Sequence, residues 1–215
     1  MNRLIIDMGS GNTCKNDGVI VKRMLDEIGK CEWKSHVTLK WQLFQDAAPN
    51  LPLERIIFNH AYKYAQEHYG LETTASVFDY PSLLYLLSYN VPFVKIANNP
   101  KLYTLIDDIP FNMPIFRSIS RVDEDLYDGY TKKRLIVDLM CVSKYPAEPS
   151  DYETNFNLDE LKFLSDHTKG TEFAEKVKPI YIEKHFKLDD SVGLDAGDFA
   201  ATIEELQVID SVLGG

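Results

Sequence analysis

Two short runs carry the residues best suited to chemistry. Phe163-Leu164-Ser165-Asp166-His167-Thr168-Lys169-Gly170 and Tyr181-Ile182-Glu183-Lys184-His185-Phe186 each read as a strand that ends in a histidine. The stretch between them is about one helix long, so a parallel pairing would bring both histidines out at the same end of a sheet. Alternation with a period of two puts Ser165 with His167 on one face and Glu183 with His185 on the matching face of the next strand. Two neutral imidazoles with a nearby carboxylate suit a borderline divalent ion such as Mn²⁺, Fe²⁺, Co²⁺ or Zn²⁺. The same pair would serve equally as hydrogen-bonded structural histidines, so the rest of the chain has to decide.

Strand-type and helix-type patterns alternate from end to end of the 215 residues. Strands are expected at 4–7, 36–42, 71–76, 93–97, 114–118 and 134–140, followed by the two histidine strands. Helical spacing of apolar residues predicts helices over Val19–Ile28, from Leu53 to near Gly70, and over Pro81–Tyr89. Shorter helices are expected over Leu102–Ile106 and Leu158–Phe163, with a brief connection around Glu124–Tyr130. A closing helix would carry Phe199, Ile203, Leu206, Ile209 and Leu213. Eight strand–helix units predict an α/β protein of the compact (β/α)8 TIM-barrel type, in a single domain spanning 1–215. An open doubly wound sheet is the alternative.

A barrel of this kind builds its site at the C-terminal ends of the strands. There the sequence places Asp7, Lys40, Gln42, Ser76, Lys95, Asn98, Ser118, Ser143, Tyr145, Ser165, His167, Glu183 and His185. Lys40 and Lys95 are informative, because a strand interior rarely hosts an ammonium group without a partner. Two buried ammonium groups and several hydroxyls facing one cavity would hold a phosphate and a carboxylate. Salt bridges within the barrel wall are the other reading of each lysine.

The formal charge of −10 argues against a broad nucleic-acid footprint, which needs clustered Lys and Arg. No apolar run approaches the ~20 residues of a membrane span. The opening Met-Asn-Arg-Leu-Ile-Ile-Asp reads as the start of a strand, not as a signal peptide. Cys14, Cys31 and Cys141 are odd in number and lack metal-site spacing, so they are expected as reduced thiols in a cytoplasmic protein. His36, His60 and His68 fall away from the strand ends and read as surface or packing residues. Asp123-Glu124-Asp125 and Asp189-Asp190 read as solvated loop charge.

The chain resembles the sialic acid synthase family, which makes N-acetylneuraminate, legionaminate, pseudaminate and spore-coat relatives. The matching pieces occur in order: Ile6-Asp7-Met8-Gly9-Ser10, Leu39-Lys40-Trp41-Gln42, Ala75-Ser76-Val77-Phe78-Asp79, Val91-Pro92-Phe93-Val94-Lys95-Ile96-Ala97 and Pro114-Ile115-Phe116-Arg117-Ser118. Cys141-Val142-Ser143-Lys144-Tyr145-Pro146, Leu164-Ser165-Asp166-His167-Thr168, Ile182-Glu183-Lys184-His185-Phe186 and Gly193-Leu194-Asp195 follow. The Ser-Asp-His-Thr and Glu-Lys-His-Phe pair is the most specific element.

The resemblance implies a transferase that condenses phosphoenolpyruvate with an open-chain, N-acetylmannosamine-like aldose, giving a nonulosonate and phosphate. It implies a divalent metal, Mn²⁺ foremost and otherwise Mg²⁺, Co²⁺ or Fe²⁺, on His167 and His185. Asp7, Glu183 and His185 would be catalytic, with Glu183 holding a metal-bound water. Lys40, Ser76, Lys95, Asn98, Ser118, Ser143 and Ser165 match or lie at positions that bind phosphoenolpyruvate. Gln42, Tyr145, Phe186 and Asp195 fall where the sugar is held. The expected partners are these small molecules, without nucleic acid or membrane, and a homodimer is open.

Asp7 stands where the family usually has Glu, Asn12 about where it has His, and Asn98-Asn99 where it has Ser-Gly. Ser118-Ile119-Ser120 replaces Ser-Thr-Gly, and Arg117 and Arg121 add positive charge near the expected phosphate. The small C-terminal antifreeze-like domain of the family is expected to be missing. Two other classes stay open: a different metal-dependent barrel lyase or phosphodiesterase, and a non-catalytic descendant serving as a binding module.

Overall fold

Eight parallel strands close on themselves in chain order, with the first hydrogen-bonded to the last. They are β1 (Arg3–Gly9), β2 (His36–Leu43), β3 (Glu72–Val77), β4 (Val94–Ile96), β5 (Ile115–Ile119), β6 (Ile136–Cys141), β7 (Phe163–Asp166) and β8 (Tyr181–His185). The helices are α1 (Gly11–Cys14), α2 (Gly18–Gly29), α3 (Arg55–Tyr69), α4 (Tyr80–Leu86), α5 (Pro149–Asn155), α6 (Glu172–Val177) and α7 (Ile203–Val212). This computed structural model describes residues 2–45, 49–120, 134–191 and 193–213. Arg121, the connection around Glu124–Tyr130 and the Asp123–Asp125 charges lie outside the described residues. The expected (β/α)8 barrel is the fold observed.

Alternation along each strand sorts the side chains into two cores. Outward-facing Leu4, Ile6, Leu39, Trp41 and Ile182 pack against Met24, Leu25, Phe58, Ala61 and Leu206 of the helices. On α3 the buried residues Phe58, Ala61 and Ala65 recur at helical spacing, and the helix stops at Gly70, whose φ of +64° suits glycine. Inward-facing Ile5, Phe93, Phe116 and Leu139 form a smaller apolar layer with Val137 and Tyr181. That layer is the barrel floor, and the Phe93 and Phe116 rings within it are 4.2 Å apart at their centroids. The inward positions one step further along, toward the strand C-termini, are polar. The barrel interior is therefore apolar below and charged above.

Three expectations need correction. No helix spans Leu158–Phe163: α5 covers Pro149–Asn155, a single 3₁₀ turn covers Leu158–Glu160, and Phe163 already belongs to β7. Pro149 sits in the first turn of α5 and the Asp151 carboxylate accepts from the Glu148 N–H at 2.8 Å, so polar start signals outweigh the apolar spacing. Leu102–Ile106 lies within a 3₁₀ helix, Pro100–Asp108, begun by the Asn99 side chain accepting from the Lys101 N–H at 3.1 Å. Phe199 precedes α7, which starts at Ile203 behind the Thr202–Glu205 capping box.

Candidate functional site

At the C-terminal mouth of the barrel lies a cavity of about 580 Å³. Asp7, Lys40, Gln42, Ser76, Lys95, Asn98, Ser118, Ser143, Tyr145, Ser165, His167, Glu183, His185 and Asp195 all line it. Phe186 does not. It follows His185 by one residue, so the strand alternation turns it outward, where it is buried in the helix-facing core. A sugar contact from its side chain is thereby corrected to a packing role.

The cavity floor is a set of charges. Lys40 and Lys95 are only 2% and 1% exposed. The Lys40 ammonium donates to Asp7 Oδ2 at 2.5 Å and to Ser76 Oγ at 3.1 Å, and approaches Glu183 Oε1 at 3.5 Å. Lys95 donates to Ser118 Oγ at 2.7 Å and makes an ion pair with Glu183 Oε2 at 3.5 Å. That oxygen accepts no hydrogen bond, so Lys95 attracts it without hydrogen-bond geometry. Both readings of the lysines hold: each is paired within the wall, and each faces the cavity.

Burial and pairing pull these groups in opposite directions. Burial disfavours the Asp7 carboxylate, but the charges of His185 and Lys40 and the hydrogen bonds from Lys40 and Gly9 hold its pKa well below the usual range. Burial also raises Glu183, and Lys40 and Lys95 together overcome it, so its pKa is lowered. Lys40 is raised because Asp7 and Glu183 outweigh its desolvation. Lys95 is lowered, because burial dominates over Glu183 and the nearby Lys40 adds repulsion. Lys95 is thus the ammonium least compensated by protein, and the one an incoming anion would stabilise most.

The two histidines stand side by side, ring centroids 5.7 Å apart. His167 Nδ1 lies 2.7 Å from the Val142 carbonyl oxygen, which can only accept, so Nδ1 carries the proton and Nε2 presents a lone pair. Burial pushes its pKa down to about 4, keeping the ring neutral at pH 7. His185 Nε2 is 3.3 Å from Asp7 Oδ2, and its buried Nδ1 has no partner. Among the described residues no group of three or more His, Cys, Asp or Glu side chains is arranged to hold a metal ion. The donors fit an ion that takes two imidazoles from the protein and completes its shell with water or substrate; they do not fit a closed structural site.

The rim is built from loops. Asp195 Oδ2 accepts from the Ser10 N–H at 3.0 Å and from Ser10 Oγ at 2.8 Å, tying the β8–α7 loop to the β1–α1 loop. Asn98 Nδ2 donates to Ser143 Oγ at 2.9 Å, joining the loops after β4 and β6. Tyr145 lies against His167 with centroids 4.2 Å apart. Sequence reasoning missed Cys141 and Phe199, which also line the cavity. Cys141 sits one alternation beyond Leu139 and is the last residue of β6, one past the 134–140 strand expected from the sequence. Phe199, edge-on to His185 at 4.9 Å and to Tyr145 at 5.1 Å, had no sequence signal separating it from the helix it precedes. His36, His60 and His68 lie away from this cavity, as expected.

No protein family and no curated protein is matched by sequence. Solved structures are matched by shape. An N-acetylneuraminic acid (sialic acid) synthetase from Leptospira borgpetersenii serovar Hardjo-bovis superposes with a TM-score of 0.76 at 23% identity, over 97% of this chain and 81% of that one. The spore coat polysaccharide biosynthesis protein E of Chromobacterium violaceum gives 0.78 at 13%, over 99% and 74%. Its Bacillus subtilis counterpart gives 0.77 at 19%, over 98% of this chain and 66% of that one. Along nearly its whole described length, the chain has the barrel fold of sialic acid synthases and of spore coat polysaccharide biosynthesis protein E.

Proposed function

We propose that the chain is a sialic acid synthase-type enzyme, condensing phosphoenolpyruvate with an N-acylated, N-acetylmannosamine-like aldose to give a nonulosonate and phosphate. The observation that carries this reading is the placement of two buried ammonium groups and two imidazoles on one cavity of the barrel mouth. The shared fold with synthases supports it.

Lys95, Lys40, Ser76 and Ser118 bind the phosphate and carboxylate of the enol phosphate. To do so the lysines trade part of their pairing with Glu183 and Asp7 for the substrate anion. Gln42, Tyr145 and Asp195, on the wall and rim, hold the open-chain sugar with its aldehyde toward the enol carbon. The methylene carbon of the enol phosphate bonds to the aldehyde carbon as the carbon–carbon π bond breaks, and a water adds its oxygen to the phosphate-bearing carbon left cationic. Glu183, ionised beside both lysines, accepts the water's proton and passes it to the aldehyde oxygen, which ends as a hydroxyl. Cleavage of the carbon–oxygen bond to phosphate, which leaves with the proton of the newly added hydroxyl, then gives a 2-oxo acid. His167 Nε2 and His185 would hold the divalent ion, Mn²⁺ foremost, which supplies Lewis acidity at the aldehyde oxygen.

The test is phosphate release from phosphoenolpyruvate with N-acetylmannosamine, other acylated aminosugars and simple aldoses, with and without chelator, beside His167→Ala. Release is expected only with an acylated aldose and a divalent ion. No release with any sugar overturns the reading. Turnover of a sugar acid or phosphodiester without phosphoenolpyruvate would instead place the chain among other metal-dependent lyases or hydrolases.

A further inference from the structure

Behind His167, on the helix-facing side of the barrel, lies a set of buried polar groups that the proposed chemistry does not use. Asp166 and Lys184 are direct register partners on β7 and β8, and both side chains are fully buried. Lys184 Nζ donates to Asp166 Oδ2 at 2.9 Å and to the Thr168 carbonyl at 2.6 Å. Asp166 Oδ1 accepts from the Thr168 N–H and from Thr168 Oγ1, both at 2.8 Å. Both backbone polar groups of the residue after His167 are therefore held by this one ion pair.

The residue itself is held from the other side. Strand β6 pairs with β7 only as far as Cys141 and Ser165, so the backbone at His167 has no ladder from that neighbour. The hydroxyl of Tyr152 on α5 fills the gap: it donates to the Ser165 carbonyl at 2.7 Å and accepts from the His167 N–H at 3.1 Å. The His167 carbonyl accepts from the Ala147 N–H at 2.8 Å. An ion pair buried among apolar side chains is weak evidence for stability, because an apolar pair of similar volume often does as well. Its use is better sought in what it positions.

We propose that Asp166, Lys184 and Tyr152 are positioning residues that fix the His167 ring with Nδ1 on the Val142 carbonyl and Nε2 beside Ser165 Oγ. The metal part of this inference rests on the function proposed above; the part about ring orientation does not. Partners of this kind typically change metal affinity by roughly 10- to 100-fold when removed.

The test uses Tyr152→Phe, which keeps the ring packed on Phe173 at 4.8 Å, and Lys184→Met, in the full chain. The first readout is the His167 Nδ1–H proton in NMR spectra of metal-free protein, assigned by its loss in His167→Gln. A slowly exchanging signal is expected in the unmodified chain, with exchange at least tenfold faster in Tyr152→Phe at unchanged methyl dispersion. The second is Mn²⁺ titration, with an expected rise in Kd of roughly 10-fold or more in either variant. An unchanged Nδ1–H exchange rate in Tyr152→Phe overturns the inference, whether or not Lys184→Met folds. Absence of Mn²⁺ binding by the unmodified chain counts against the metal-dependent function alone, since the proton signal still reads the positioning.

Discussion

Asp166 and Lys184 face each other across β7 and β8, and for that reason His167, just past the end of β7, and His185, the last residue of β8, stand 5.7 Å apart at the barrel mouth. The relationship ties the imidazole pair to strand register. Slipping either strand by one residue would send its histidine to the opposite face.

Removing one imidazole should weaken divalent-ion binding and release without unfolding the chain. His185→Ala relieves a buried ring whose Nδ1 has no partner, so its melting temperature is expected within a few degrees of the unmodified protein. Phosphate release should fall at least ~100-fold, a size typical of losing an interaction made chiefly in the transition state. Undiminished release by His185→Ala at the Mn²⁺ concentration that just saturates the unmodified chain would show that His185 is not a ligand.

The two lysines should separate stability from binding. Lys40→Met leaves the Asp7 carboxylate, now 2.5 Å from the ammonium, buried without its counter-charge, an expected loss of about 3–5 kcal/mol. Lys95→Met should cost less, since burial already disfavours that charge. Yet phosphoenolpyruvate should raise the melting temperature of the unmodified chain and not that of Lys95→Met. Equal thermal shifts in both would move the anion site away from Lys95.

Acid should destabilise the metal-free protein in a defined window. The His167 pKa is about 4 in the fold against 6.5 for the free side chain, so the unfolded chain binds the extra proton between those values. Stability therefore rises with pH across the window and is lost as pH falls from 6.5 toward 4, by about 3 kcal/mol from this group. Denaturant unfolding in chelator at several pH values reads the slope. It should be shallower in His167→Gln, and identical slopes would contradict the burial argument.

Thiol labelling should be selective. Burial pushes Cys14 and Cys141 up to about 11, while Cys31 is partly exposed, its thiol raised by burial and by the nearby Glu204 and Glu27. Iodoacetamide at pH 8 is expected to modify Cys31 first, by mass spectrometry of the native protein. Fast modification of Cys141, blocked by phosphoenolpyruvate, would instead reveal a reactive thiol in the cavity wall.

The barrel was legible because its signals are local. Runs such as Leu4–Asp7 and His36–Gln42 declare strands, and the apolar spacing on α3 declares a helix, whatever surrounds them. The site was legible for the same reason: alternation at Ser165, His167, Glu183 and His185 assigns faces once the strands are known. The same alternation turns Phe186 outward, against the sugar contact that the resemblance implies for it. Where competing local signals met, as at Leu158–Phe163 against the capped start at Pro149, apolar spacing was the poorer guide.

Composition, periodicity and spacing determine by themselves that eight strands alternate with helices and that ammonium groups and imidazoles sit near the strand ends. They act over neighbouring residues, through side-chain alternation and backbone propensity. Only closure of the barrel decided that Lys40 and Lys95 share Glu183, that Phe199 leans on His185, and that a tyrosine from α5 supports the His167 backbone. Those contacts join residues from separate elements, and loop geometry and packing, which no single stretch encodes, bring them together.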